Sequence, residues 1–102
     1  MSAQKRPTFD SDGYPTEETL EIIAKWENDY ENLMEFVREA WRWKDDYFHL
    51  TIKDGERMHE LHTGGWSGNE SLMGALKQNQ LFWVMCWQES RRGGHYKFII
   101  RG

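Results

Sequence analysis

The sequence predicts an α+β fold with two N-terminal helices followed by a ββαββ arrangement and a four-stranded, mostly antiparallel sheet. Three observations support this. Apolar residues recur at helical spacing in the first 43 residues, the spacing changes to strict alternation after residue 47, and a two-residue hairpin turn, Asp54-Gly55, follows directly. At 102 residues the chain is long enough for one modest core. We divide it into a flexible leader, 1–14, and a single α+β domain, 15–102.

The leader is polar. Met1 to Arg6 reads as disordered, and Asp10-Ser11-Asp12-Gly13 is turn chemistry. Asp10, Asp12 and Gly13 resemble the opening of a calcium loop, but no distal bidentate Glu follows at the required spacing. Pro15 and Thr16 open the first helix, about 17–27, with Glu17 and Glu18 in the first turn, where the helix dipole favours acids. Leu20, Ile23 and Ala24 form its apolar stripe. Asn28-x-x-Glu31 is a second capping signal, and Leu33, Phe36, Val37, Ala40 and Trp41 mark a second helix over about 29–43. Glu21, Glu27, Glu31, Glu35 and Glu39 form an outward acidic face. It reads first as a solvated surface and second as a mimic of nucleic acid.

Phe48, Leu50 and Ile52 alternate with His49, Thr51 and Lys53 in a strand, which returns over about Glu56 to His62. A short helix over roughly 68–79 comes next, with Gly74 in its middle expected to mark close packing. Leu81 to Trp87 is apolar on both faces and reads as the central strand of the sheet, covered on both sides. The turn Ser90 to Gly94 leads to a last strand from His95 to Ile100.

Between the second strand and the short helix lies Thr63-Gly64-Gly65-Trp66-Ser67-Gly68-Asn69-Glu70. Ser67 and Glu70 have capping-box spacing, and glycines ahead of a helix N-terminus let a ligand approach the backbone. The stretch matches neither dinucleotide nor P-loop glycine motifs, and it reads as a structural turn or as a binding loop. The second glycine-rich stretch is Arg91-Arg92-Gly93-Gly94-His95-Tyr96. It is either a mobile hairpin tip or an anion clamp, because the planar guanidinium fork matches phosphate. Gly64, Gly65, Trp66, Asn69, Arg91, Arg92, His95 and Tyr96 together contain the parts of a nucleotide site: rings to stack a base, an amide to read its edge and arginines for phosphate.

These two motifs, with Phe82-Trp83, resemble a family of small proteins encoded by bacteriophages and prophages, over roughly residues 18–99. The family has no settled activity. The resemblance implies a setting in the cytoplasm of an infected bacterial host, and action on host machinery or defence signals.

Other chemistry is weakly supported. His59-x-x-His62 has a zinc-like spacing, but residues three apart on a strand point to opposite faces, so we assign no metal and no cofactor. Cys86 lies in an apolar run where a thiol is poorly ionised, and no spacing defines an acid–base pair, so no catalytic residue is assigned. Residues 1–46 carry six Lys/Arg against twelve Asp/Glu, and residues 47–102 seven against five. That balance argues against broad duplex DNA binding and leaves room for a local anion site in the second half. No apolar run reaches the ~20 residues needed to span a bilayer.

The leading reading is therefore a non-enzymatic protein that binds a small anionic ligand such as a nucleotide, the most concrete version being capture of a defence signal. The alternatives are an acidic protein–protein inhibitor of a host complex and a small hydrolase. Six tryptophans and an apolar middle strand also point to a homodimer.

Overall fold

A computed structural model describes residues 6–101. The element order is α1 (Glu17–Ala24), α2 (Tyr30–Ala40), α3 (Lys44–Tyr47), β1 (Phe48–Lys53), β2 (Glu56–His62), α4 (Ser67–Gln78), α5 (Gln80–Cys86), β3 (Trp87–Arg91) and β4 (His95–Arg101). The strands form one antiparallel sheet in the order β1-β2-β4-β3. The α+β class and a four-stranded antiparallel sheet agree with the sequence expectation, although the third strand is not the segment expected.

Residues expected as a flexible leader are tied to α1 where they are described. The Thr8 backbone N–H donates to Thr19 Oγ1 at 2.8 Å, and Phe9 bridges to Pro15. Asp10 Oδ1 accepts from the N–H groups of Asp12 and Tyr14, which makes this segment a side-chain-stabilised turn. The disorder expected of residues 1–5 lies outside the described residues, while Arg6 pairs with Glu39 at 3.2 Å. Thr16 caps α1 by accepting from the Thr19 N–H.

Helix α2 begins later than the Asn28 capping signal implies. Asn28 and Asp29 both take left-handed backbone conformations, and no side chain caps the helix. It ends at Ala40, because Trp41 turns extended and buries its ring against Phe48 while its Nε1 donates to the His62 carbonyl at 3.0 Å. The Asp54-Gly55 turn has positive φ at both residues, as a type I′ hairpin requires.

The apolar run 81–87 is the largest departure from expectation. It is helix α5, and the strand that follows begins only at Trp87. Asn79 starts this helix by accepting from the Phe82 N–H, while its amide donates to the carbonyls of Ile23 and Trp26. Phe82 and Cys86, four apart, are buried, and Leu81, Val84 and Met85 are exposed. A short, uniformly apolar run has no period of its own, so the cap decides between helix and strand. The sheet centre goes to β2 and β4, and β3 lies at an edge. Trp83 and Trp87 still share one side, stacked at 5.9 Å.

Register divides the sheet into two unlike faces. Phe48, His59, Leu61 and Phe98 point to one core together with Ile23, Leu33, Val37, Leu72, Leu76 and Phe82 from the helices. On the opposite face, His49, Glu60, Lys97 and Glu89 form a polar row across all four strands.

Gly74 does not mark close packing, since a Cβ there would meet nothing within 4 Å. Gly74→Ala should therefore stabilise the protein by about 0.4–1 kcal/mol through helix propensity and reduced unfolded-state entropy. Gly68→Ala should destabilise it by about 1–3 kcal/mol, an overpacking cost, because its Cβ would fall 2.3 Å from the Trp66 ring. Urea unfolding of the two variants checks both signs.

Candidate functional site

The two glycine-rich loops meet. The Thr63 N–H donates to the Gly94 carbonyl at 3.0 Å, and a Cβ on Gly94 would lie 2.1 Å from Thr63 Oγ1, so only glycine permits this approach. The junction sets His62, the last residue of β2, directly opposite His95, the first of β4. Their ring centroids are 3.7 Å apart, and Tyr47 stacks on His62 at 5.0 Å.

These rings line an open cleft of about 320 Å³ on the polar face of the sheet, with His49, Arg91 and Lys97 at its sides. The Gly64 N–H donates to His62 Nδ1 at 3.1 Å, which makes that nitrogen an acceptor. Loss of solvation, followed by the nearness of His95, pushes the His62 pKa down. Across the cleft, Arg91 Nε donates to Glu89 at 2.7 Å, and Lys97 Nζ lies 3.8 Å from the same carboxylate. The hydrogen bond and charge of Arg91, with a smaller effect from Lys97, hold the Glu89 carboxyl below its ordinary range. The Arg91 side chain stays largely exposed in this arrangement, and the cleft offers imidazole and phenol rings for stacking.

Of the residues expected to bind ligand, Arg91 and His95 line the cleft and Gly64 orients His62 from its rim, whereas Tyr96, paired with core-facing Leu61, turns its ring to the opposite side of the sheet against Trp83. Gly65 and Arg92 are exposed outside it. Trp66 and Asn69 do other work. The Trp66 ring packs on Tyr14 at 5.1 Å and beneath the Arg42 guanidinium at 4.6 Å. Asn69 is fully buried, accepting from the Arg42 N–H and donating to the carbonyls of Arg42 and Thr63. It holds the loop and has no free edge for a base.

The Ser67–Glu70 capping box does not form. Trp66 is the N-cap and Ser67 is already helical, so its hydroxyl donates to Tyr14 Oη instead. Tyr47, His49, Glu60, His62 and Lys97 line the cleft and were not selected by sequence reasoning. A His ending one strand and a His opening another is the pattern that could have located the pair, once β2 and β4 were known to be neighbours.

His59 lies on the core face, opposite to His62, as strand alternation requires. Its Nε2 is 3.2 Å from Glu31, and its buried Nδ1 has no hydrogen-bond partner among the described residues. Burial lowers the His59 pKa, and the Glu31 hydrogen bond only partly offsets it. Among the described residues no group of three or more His, Cys, Asp or Glu is placed to hold a metal, and no helix is long and apolar enough to cross a membrane. No family model, curated protein or solved structure matches the chain.

Both lowered histidines give stability the same sign of pH dependence. The unfolded chain binds protons near the ordinary value of 6.5 while the folded chain resists them. Stability is therefore fully present above that pH and is lost as pH falls through the lower folded values. Thermal melts from pH 7 down to about pH 5 should show a falling Tm, with a shallower slope in His59→Gln and in His62→Gln.

Proposed function

We propose that this is a non-enzymatic binding protein that takes a small anionic ligand with an aromatic ring, most concretely a nucleotide, in the His62–His95 cleft. The observation that carries this reading is the contact of the two glycine-rich loops at Thr63 and Gly94, which gathers stacking rings and a cation in one opening. Its volume of about 320 Å³ sits at the lower end of small-ligand sites, roughly 300–1,000 Å³. Arg91 and Lys97 would face phosphate, exchanging part of their pairing with Glu89 for it. Tyr47, His62 and His95 would offer faces to the base, and Glu60 an acceptor for an exocyclic amine. With the phage-like motifs, this suits sequestration of a host defence signal inside an infected cell.

Stacking on an aromatic ring is worth about 1–3 kcal/mol, and a charged hydrogen bond about 1.5–3 kcal/mol. Arg91→Ala and His95→Ala should each weaken nucleotide binding roughly ten- to a hundredfold, with little change in melting temperature. Trp66→Ala should change stability more than affinity. Calorimetric titration with a nucleotide panel checks this, and mass spectrometry of small molecules released by heat identifies a carried ligand. Absence of any nucleotide binding, or full affinity in Arg91→Ala, would overturn the reading.

A homodimer belongs to the same proposal. Leu81, Val84, Met85 and Trp87 are exposed together along α5 and the start of β3. Residues 80–88 carry no charge in a chain with thirty charged residues, so a twofold axis here would bury none. Light scattering should give twice the chain mass at tens of micromolar, on the order of ordinary dimer affinities. Val84→Lys should return it to the mass of one chain.

A further inference from the structure

We infer that the groove between the α1–α2 helices and the β1–β2 hairpin is a docking site for a basic, amphipathic segment of another protein. Phe48, Leu50 and Ile52 point to the same face of β1, opposite Leu61, His59 and Arg57. Phe48 is 2% exposed, Leu50 42% and Ile52 63%. The core-facing side of this strand therefore runs out from under the helices and leaves an apolar strip uncovered. It faces Ile22, Trp26 and Phe36 across an opening of about 1,020 Å³.

The walls are acidic. Glu21, Glu27, Asp29, Glu31, Glu35 and Glu39 line the groove, and among the described residues the cations at it are already paired: Lys25 lies 3.7 Å from Glu21, Arg57 3.7 Å from Glu31 and Arg6 3.2 Å from Glu39. Glu27 and Glu35 have no ion-pair partner among the described residues. Glu31, Glu35 and Glu39 follow one another at four-residue spacing, an edge about 12 Å long at the helical rise of 1.5 Å per residue. A single small cation would engage one of these carboxylates. A segment with Lys or Arg at helical spacing engages the edge and lays its apolar side on Leu50 and Ile52. Charge excludes nucleic acid, anionic lipid and a second acidic groove as occupants.

The probe is a helical Leu/Lys peptide, titrated calorimetrically beside a Ser/Lys peptide of the same length and charge. The Leu/Lys peptide should bind with an affinity that falls as salt rises. The Ser/Lys peptide should bind about tenfold weaker or worse. Ile52→Ser should reduce Leu/Lys affinity by a similar factor without lowering Tm. Combined Glu27→Lys and Glu35→Lys should do the same, which supplies an independent readout if Ile52→Ser folds poorly. Arg91→Ala, in the separate nucleotide cleft, should leave peptide binding unchanged.

Equal binding of both peptides would reduce the groove to a general polyanion and overturn the proposal. Unchanged Leu/Lys affinity in the groove variants would do so as well. Dissociation of a dimer by Ile52→Ser would assign the strip to a second copy, with the same consequence.

Discussion

The organising constraint is that a four-stranded sheet has two faces and, among the described residues, the longer helices cover only one, incompletely. Ile23, Leu33, Val37, Leu72, Leu76 and Phe82 converge on Phe48, Leu61 and Phe98, and the core ends there. Every surface of functional interest follows from that limit. On the other face a polar row from His49 to Glu89 crosses the strands, with Met58 and Ile99 to one side of it and the His62–His95 pair to the other. The covered face outruns its helices at Leu50 and Ile52. The short helix α5 closes the core with Phe82 and Cys86 and turns Leu81, Val84 and Met85 outward.

Two buried asparagines join these layers. Asn79 links the end of α1 to the start of α5, and Asn69 links the end of α2 to the loop that precedes α4. Each satisfies backbone groups that chain ends and tight turns leave without partners. A buried carbonyl or N–H without a partner costs about 1–3 kcal/mol, so these amides stabilise loops too irregular to do so themselves. Trp66, fitted over Gly68 and flanked by Tyr14 and Arg42, fastens the described N-terminal segment to the same loop. The TGGWSGNE stretch is thus largely architecture, and its contribution to the cleft comes through the backbone of Gly64.

Periodicity and turn chemistry determined the α+β class, the first helix start at Thr16, the hairpin at Asp54-Gly55 and the strand Glu56–His62. Each of these depends on neighbours in sequence, such as the dipole at a helix start or the paired positive φ of a type I′ turn. The convergence of the two glycine loops was legible only as a possibility in composition. What brings Thr63 to Gly94 is the pairing of β2 with β4, two strands separated by two intervening helices and an edge strand.

Residues 81–87 show where sequence alone stops. Their apolarity demands burial but carries no period, and the choice of helix came from Asn79 capping Phe82 while its amide reached across to Ile23 and Trp26. Asn69 likewise has the chemistry of a base reader, and only its burial among the carbonyls of Arg42 and Thr63 makes it a structural residue. The sequence by itself determined which segments could be helix, strand or turn. Tertiary structure decided which side chains remain free to bind, because that depends on partners far away in the chain competing for the same hydrogen bonds and the same buried space.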